Sequence, residues 1–380
     1  MSLRVAVNLL WCVPGVVGGS EEYLARQLDG LAEIDPSRER VEPTLFTLPT
    51  YPVAHPELVA ARPTMTAPVR GRRRPVRVLA EHTWLAARTR RFDLVHHGGG
   101  TTPLVGRRPV VLTIHDLQYL DHPEYISAPK LRYLRAVVPR SVRRATVIAV
   151  PTEFVRGTVS AAFGTSPDRI VVVPHGVPAP VARSADPAEL RRRYRLGDGP
   201  VLVYPAITHP HKNHRLLLHT MARHWTDPDV RLVLLGGRGA ADDEVDAMID
   251  RLDLRRRVVR PGRVPEADRD GLVSLAEALV FPSAYEGFGA PVIEAMRLGT
   301  PVVCGDHPAL REVVGDAALV LPDEPEAWAT AIDEVGRRRE QLIAAGSARA
   351  ARFTPATSAA ALVQAYEQAA GGVSTVVGGR

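Results

Sequence analysis

The sequence predicts an α/β protein made of two doubly wound, Rossmann-like domains in series, each a mostly parallel sheet covered by helices. Three observations carry this. The 380 residues are roughly two to three times the usual length of one domain, and a hydrophobic fraction of 45% is enough for ordinary buried cores. Short apolar runs alternate with amphipathic segments along nearly the whole chain. The alternation breaks once, into proline, alanine and charge between Pro178 and Gly199, and then begins again. The expected division is a first domain at 1–180, a second at 181–355, a closing helix at 356–370 and a flexible tail at 371–380.

The elements follow in order. An apolar run at 4–10 leads into Trp11-Cys-Val-Pro-Gly15-Val-Val-Gly18-Gly19, after which Ser20 is placed to cap a helix with Glu21 and Glu22 in its first turn and Leu24, Leu28 and Leu31 as its apolar stripe. Strands are expected at 44–48, 94–97, 110–115, 147–150 and 170–173, with amphipathic segments at about 77–91 and 130–144, the latter interrupted by Pro139. The second half gives strands at 201–204, 231–235, 258–260, 279–281, 302–304 and 319–321, and helices at 212–225, 241–253, 266–277, 291–298 and 325–345. Strands that are apolar throughout, rather than alternating, fit parallel sheets covered on both faces.

Composition narrows the class. Cys12 and Cys304, the only cysteines, sit in different halves, so neither a disulfide framework nor a CxxC metal site is expected. No window approaches eighteen apolar residues, and Met1-Ser-Leu-Arg4 enters the first strand without a cleavable signal pattern, which reads as cytoplasmic. The net charge of +6 is uneven: 23 Lys/Arg against 15 Asp/Glu in 1–180, and 25 against 27 in 181–380. No aromatic stacking platform or DNA-reading motif accompanies the excess, so nucleic acid is not expected. An anionic membrane surface or a phosphate-bearing acceptor suits the charge better, with the basic, partly apolar segment from Lys130 to Arg144 as the contact.

One stretch organises the second half. Residues 278–281 end a strand, Gly287 and Gly289 mark a tight turn, Pro291 opens a helix and Gly299 closes it. Glu286 then stands at the carboxyl edge of a sheet and Glu294 about one turn into the helix, near free backbone N–H groups from Phe288 to Val292. Such a place suits an anionic, hydroxyl-rich ligand. The spacing Glu286-x7-Glu294 with Gly-Phe-Gly inside it resembles the signature of retaining glycosyltransferase family 4, which has the GT-B fold. The Gly18-Gly19 loop, His115-Asp116, Val172-Val-Pro-His-Gly176 and His211-Lys212-Asn213 occur in that family's order, so the resemblance covers nearly the whole chain.

The resemblance implies two Rossmann-like domains facing across a cleft, with the closing helix returning to the first. It implies transfer of a hexose, mannose or glucose among the candidates, from a nucleotide-diphosphate sugar to a glycan or lipid-linked acceptor with retention of configuration, and with neither cofactor nor metal. Lys212 would meet the donor phosphates with His211 beside it, and Glu294 the ribose. Glu286 and the backbone of Gly287, Phe288, Gly289 and Ala290 would face the transferred sugar and its phosphate, His115 would lie near that sugar, and Gly18 and Gly19 would approach donor phosphate or acceptor. Lys212, Glu286 and His115 are thus the catalytic candidates. The family often has arginine five residues before its lysine; here that position is Ile207. His209, His211 and His214 lack a carboxylate or cysteine to complete a metal site, Asp227-Pro-Asp229 reads as a turn, and Gly237-x-Gly239 meets Asp242 where a dinucleotide loop needs its third glycine. Other readings stay open: a non-catalytic nucleotide-sugar-binding or scaffolding protein, or a sugar phosphorylase or epimerase on the same fold.

Overall fold

The structure, a computed structural model, describes residues 2–16, 18–34, 41–71, 73–107, 109–179 and 185–371. They fall into two compact units, 1–178 with 353–380 and 179–352. The expected tail lies outside the described residues from 372 onward.

The first unit is a seven-stranded parallel sheet of β1 (Leu3–Asn8), β2 (Val41–Thr47), β3 (Thr64–Thr66), β4 (Leu94–His97), β5 (Val110–Thr113), β6 (Val147–Val150) and β7 (Ile170–Val172), in the order β3-β2-β1-β4-β5-β6-β7. Successive side chains of β1 go to opposite faces. Val5 and Val7 join Leu28 of helix Gly19–Gly30 and Leu362 and Tyr366 of helix Pro355–Gly371, whereas Ala6 joins Phe46, Leu85 and Val95 on the other face. The second unit is a six-stranded parallel sheet of β8 (Val201–Pro205), β9 (Arg231–Leu235), β10 (Val258–Gly262), β11 (Ala278–Phe281), β12 (Val302–Gly305) and β13 (Leu319–Leu321), ordered β10-β9-β8-β11-β12-β13. Each sheet reverses its direction of growth once, between β1 and β4 and between β8 and β11. Such switch points, at the carboxyl ends of the strands, are where open α/β sheets bind ligands.

Several details differ from the sequence expectation. Helix Gly19–Gly30 starts one residue before Ser20, with Gly18 as its cap, because the Glu21 carboxylate reaches back to the Gly15 N–H (2.9 Å) and organises the turn itself. Pro139 does not interrupt its helix, which runs unbroken over Ala128–Arg144; the side chains of Arg140 and Ser141 donate to the carbonyls of Ala136 and Val137 in the turn around it. The segment at 77–91 contains a π turn, Glu81–Leu85, between helices Arg74–Ala80 and Ala86–Arg88. The helix expected at 325–345 divides into Pro325–Trp328 and Ala331–Ala350. Among the described residues no helix is long and apolar enough to cross a membrane.

Candidate active site

The second unit brings Lys212 and Glu286 together from opposite sides of its switch point. After β8 the chain makes a loop and a 3-10 turn, Pro210–Lys212; Asn213, with φ at +52°, then redirects it into helix His214–Arg223. That left-handed residue is why the helix begins two positions later than the expected 212. Tyr204, the buried penultimate residue of β8, donates its hydroxyl to the Lys212 carbonyl (2.7 Å) and lies 3.0 Å from Ser283 Oγ; Ala284 N–H donates to the His211 carbonyl (2.9 Å). Burial holds the Tyr204 phenol well above its usual pKa, so it remains a donor. The lysine turn is thereby fastened to the loop after β11. Lys212 Nζ meets Glu286 Oε1 at 2.5 Å, with 19% and 11% of the two side chains exposed, and lies 5.8 Å from the centre of the Phe281 ring.

The glycine turn behaves as its composition requires. Gly289 caps helix Ala290–Arg297 with φ at +87°, and a Cβ there would come within 2.6 Å of Leu310. Phe288 is buried, so what it offers a ligand is backbone. Glu294 lies in the field of Arg269, whose guanidinium also bonds Asp270 and Glu266. His211 stacks on His209 at 5.7 Å. Gly236 and Gly239 serve the protein itself: their Cα atoms press on the carbonyls of Ala206 and Thr208, where a Cβ would come within 2.4 and 2.2 Å. A cavity of about 490 Å³ opens beside this contact, lined by Thr208, Arg238, Asp242 and Arg260 among others. Asp227 accepts from the Asp229 N–H (2.9 Å) as a turn residue, and among the described residues no group of three His, Cys, Asp or Glu side chains gathers as a metal would require.

His115, Gly18 and Gly19 belong to the first unit. His115 follows β5 and its Nε2 bonds the Gly98 carbonyl (2.9 Å). Burial lowers its pKa, opposed by that bond and by Asp116, so the ring is neutral at neutral pH. Tyr23 stands edge-on to it at 5.2 Å and packs on His175 at 4.2 Å, while its hydroxyl donates to the Val173 carbonyl (2.6 Å). Gly18, with φ at +67°, caps the helix that carries Tyr23. Tyr204, Ser283, Arg269 and His175 are thus the residues sequence reasoning passed over; only His175, inside Val-Pro-His-Gly, carried a local signal.

The profile described as "Glycosyl transferases group 1" matches residues 187–349, and "Glycosyltransferase Family 4" matches residues 17–179. The O-antigen chain mannosyltransferase B of Escherichia coli is 31% identical over 289 residues, 72% of this chain and 74% of that protein. The chain belongs to glycosyltransferase family 4. A D-inositol 3-phosphate glycosyltransferase of Frankia alni is 30% identical over 311 residues, 73% of this chain and 74% of the relative. The GT-B fold of this family is matched by the Anabaena protein Alr3699/HepE in complex with UDP and glucose (TM-score 0.74, 21% identity, 95% of this chain and 98% of that one). It is matched equally by a sucrose-phosphate synthase of Thermosynechococcus elongatus (TM-score 0.75, 20% identity, 96% and 98%).

Proposed function

We propose that this family 4 glycosyltransferase moves a hexose, mannose in the first instance, from a nucleotide-diphosphate sugar to a glycan or lipid-linked glycan with retention of anomeric configuration and without a metal. The observation that carries the reading is the Lys212–Glu286 pair at the switch point, a cation and a hydroxyl-binding carboxylate 2.5 Å apart beside the N-terminus of helix Ala290–Arg297. Lys212 balances the charge of the departing diphosphate. Glu286 and the backbone of 287–290 hold the sugar, Glu294 the ribose, and the cavity beside Thr208 the nucleoside. The acceptor oxygen bonds to the anomeric carbon as the carbon–phosphate-oxygen bond breaks, and its proton passes to a donor phosphate oxygen. The mannosyltransferase names among the relatives favour mannose. Incubation with GDP-mannose and UDP-glucose, in the presence of EDTA, tests the reading: nucleoside diphosphate should be released on transfer, and product NMR should show the donor's anomeric configuration. An inverted product, or activity that EDTA abolishes and Mg²⁺ restores, defeats the corresponding part.

The acceptor side works in the cytoplasm at an anionic membrane, to which the first unit attaches reversibly. Lys130, Arg132, Arg135, Arg140 and Arg143 are exposed along helix Ala128–Arg144, and Arg144 donates to the carbonyls of Leu104 and Gly106, holding up a loop whose Leu104 and Val105 are 66% and 51% exposed. Basic residues around an exposed apolar tip favour an anionic leaflet, each by about 1 kcal/mol. Sedimentation with anionic vesicles at low salt should carry the protein down, and release it at high salt. Protein that stays in the supernatant at low salt points to a soluble acceptor.

A further inference from the structure

The first unit has a switch point of its own, where β1 ends beside β4 and the residues in register at the ends are Asn8 and His97. Leu10 N–H donates to Asn8 Oδ1 (3.0 Å), which fixes the amide so that its NH2 group faces Glu81 Oε1 (2.9 Å) and His97 Nδ1 (3.1 Å). His97 Nδ1 therefore accepts, and the ring proton resides on Nε2. Glu81 is delivered by the π turn Glu81–Leu85, a helical irregularity that often accompanies ligand sites. Asn8, His97 and Glu81 are 1%, 3% and 7% exposed.

Among the described residues, Asn8 is the only hydrogen-bond partner of the Glu81 and His97 side chains, so Glu81 Oε2 and His97 Nε2 have no protein partner there. This acceptor and this donor, each on a side chain more than nine-tenths buried and both tied to one amide, are left for solvent or a ligand to meet. A hydroxyl group answers both, because it accepts from Nε2–H while donating to the carboxylate. We propose that Glu81 and His97, oriented by Asn8, bind a hydroxyl group of the acceptor saccharide on the first unit. This rests on the glycosyl-transfer reading above and assigns these side chains to the acceptor rather than the donor. Burial also pushes the His97 imidazole down to about 3, so at neutral pH it is uncharged and presents a fixed donor.

Saturation-transfer NMR titrations with methyl α-D-mannopyranoside, methyl α-D-glucopyranoside and methyl α-D-galactopyranoside test this, beside calorimetry with GDP and UDP. At least one glycoside should give a saturable contact with the full chain. Glu81→Gln turns the acceptor into a donor, and His97→Asn keeps the bond to Asn8 while losing Nε2; each should weaken that glycoside about tenfold and leave nucleoside diphosphate affinity unchanged. His97→Gln, which restores a donor at the Nε2 position, should recover most of the loss. No saturable contact with any glycoside means that the cluster holds only water, and overturns the proposal. Undiminished glycoside affinity in the variants also overturns it, as does an equal loss of nucleoside diphosphate affinity. Failure of the wild type to bind either diphosphate sinks the transferase reading instead, since the glycoside contact is scored separately.

Discussion

Lys212 is not a bare cation waiting for phosphate; Glu286 already occupies it at 2.5 Å. On the proposed reading an arriving diphosphate exchanges with that carboxylate, which is then released toward the sugar hydroxyls. Lys212→Ala should lower kcat/KM about ten- to a hundredfold for whichever donor is used, as expected for one charge-assisted contact. Glu286→Gln leaves the ammonium unneutralised, so free nucleoside diphosphate should bind several-fold more tightly while turnover falls. Glu294→Ala should instead weaken the free diphosphate and the intact donor alike, because ribose is common to both. Calorimetry with the two ligands separates these outcomes, and a Glu286→Gln variant that binds nucleoside diphosphate more weakly than wild type ends the exchange account. The identities of Lys212, Glu286 and Glu294 were legible through the resemblance of their motifs to those of the family. Their grouping was not, since the contact that joins the first two spans 74 residues, while Glu294 lies in the field of Arg269.

The turn Pro210–Lys212 depends on Tyr204, whose hydroxyl serves the Lys212 carbonyl and lies beside Ser283. Tyr204→Phe removes that donor from a buried place and should cost about 1–3 kcal/mol of stability in denaturant unfolding. It should also weaken nucleoside diphosphate binding while leaving the nucleoside, which lacks phosphate, unaffected; equal loss of both would make Tyr204 a packing residue only. Strands with three or four consecutive apolar residues, such as Val147–Val150 and Ala278–Phe281, were plain in the sequence because both of their faces are covered. Thr64–Thr66 was not, being a three-residue edge strand with no apolar run. Helix Pro308–Val314 escaped for the related reason that it is short, and hydrophobic periodicity needs a longer window. Pro139 misled because propensity describes an isolated helix, whereas Val138 and Val142 are anchored in the core.

Across the molecule, burial has left several imidazoles uncharged. His96 and His97 in the first unit and His214 in the second are each pushed down to about 3, and His115 and His175 are lowered as well. The unfolded chain protonates these rings near 6.5, whereas the folded chain protonates them only at lower pH. The stability gained by keeping them neutral is therefore complete above about pH 6.5 and is lost progressively as pH falls from there toward 3. His219 in the second unit is lowered too, so four of these six are in the first unit, which should weaken first on acidification. Hydrogen exchange, corrected for intrinsic rates, should show β4 and β5 losing protection between pH 7 and 5 ahead of β8 and β9. The reverse order would contradict the assignment. Two α/β units were legible from the single break in the alternation at 178–199, since each strand-helix repeat builds its own layered core. The first unit's claim on the end of the chain has a mechanical result. Leu362 and Tyr366 are fully buried in its core, and Val177 N–H bonds the Phe353 carbonyl at 2.8 Å where the chain leaves and re-enters. A cut at an engineered protease site within residues 180–184 should thus give two bands on a denaturing gel but a single peak on size exclusion. The later fragment carries the helix that completes the earlier one, so a severed polypeptide remains one particle, and the halves could be produced separately and mixed to restore it.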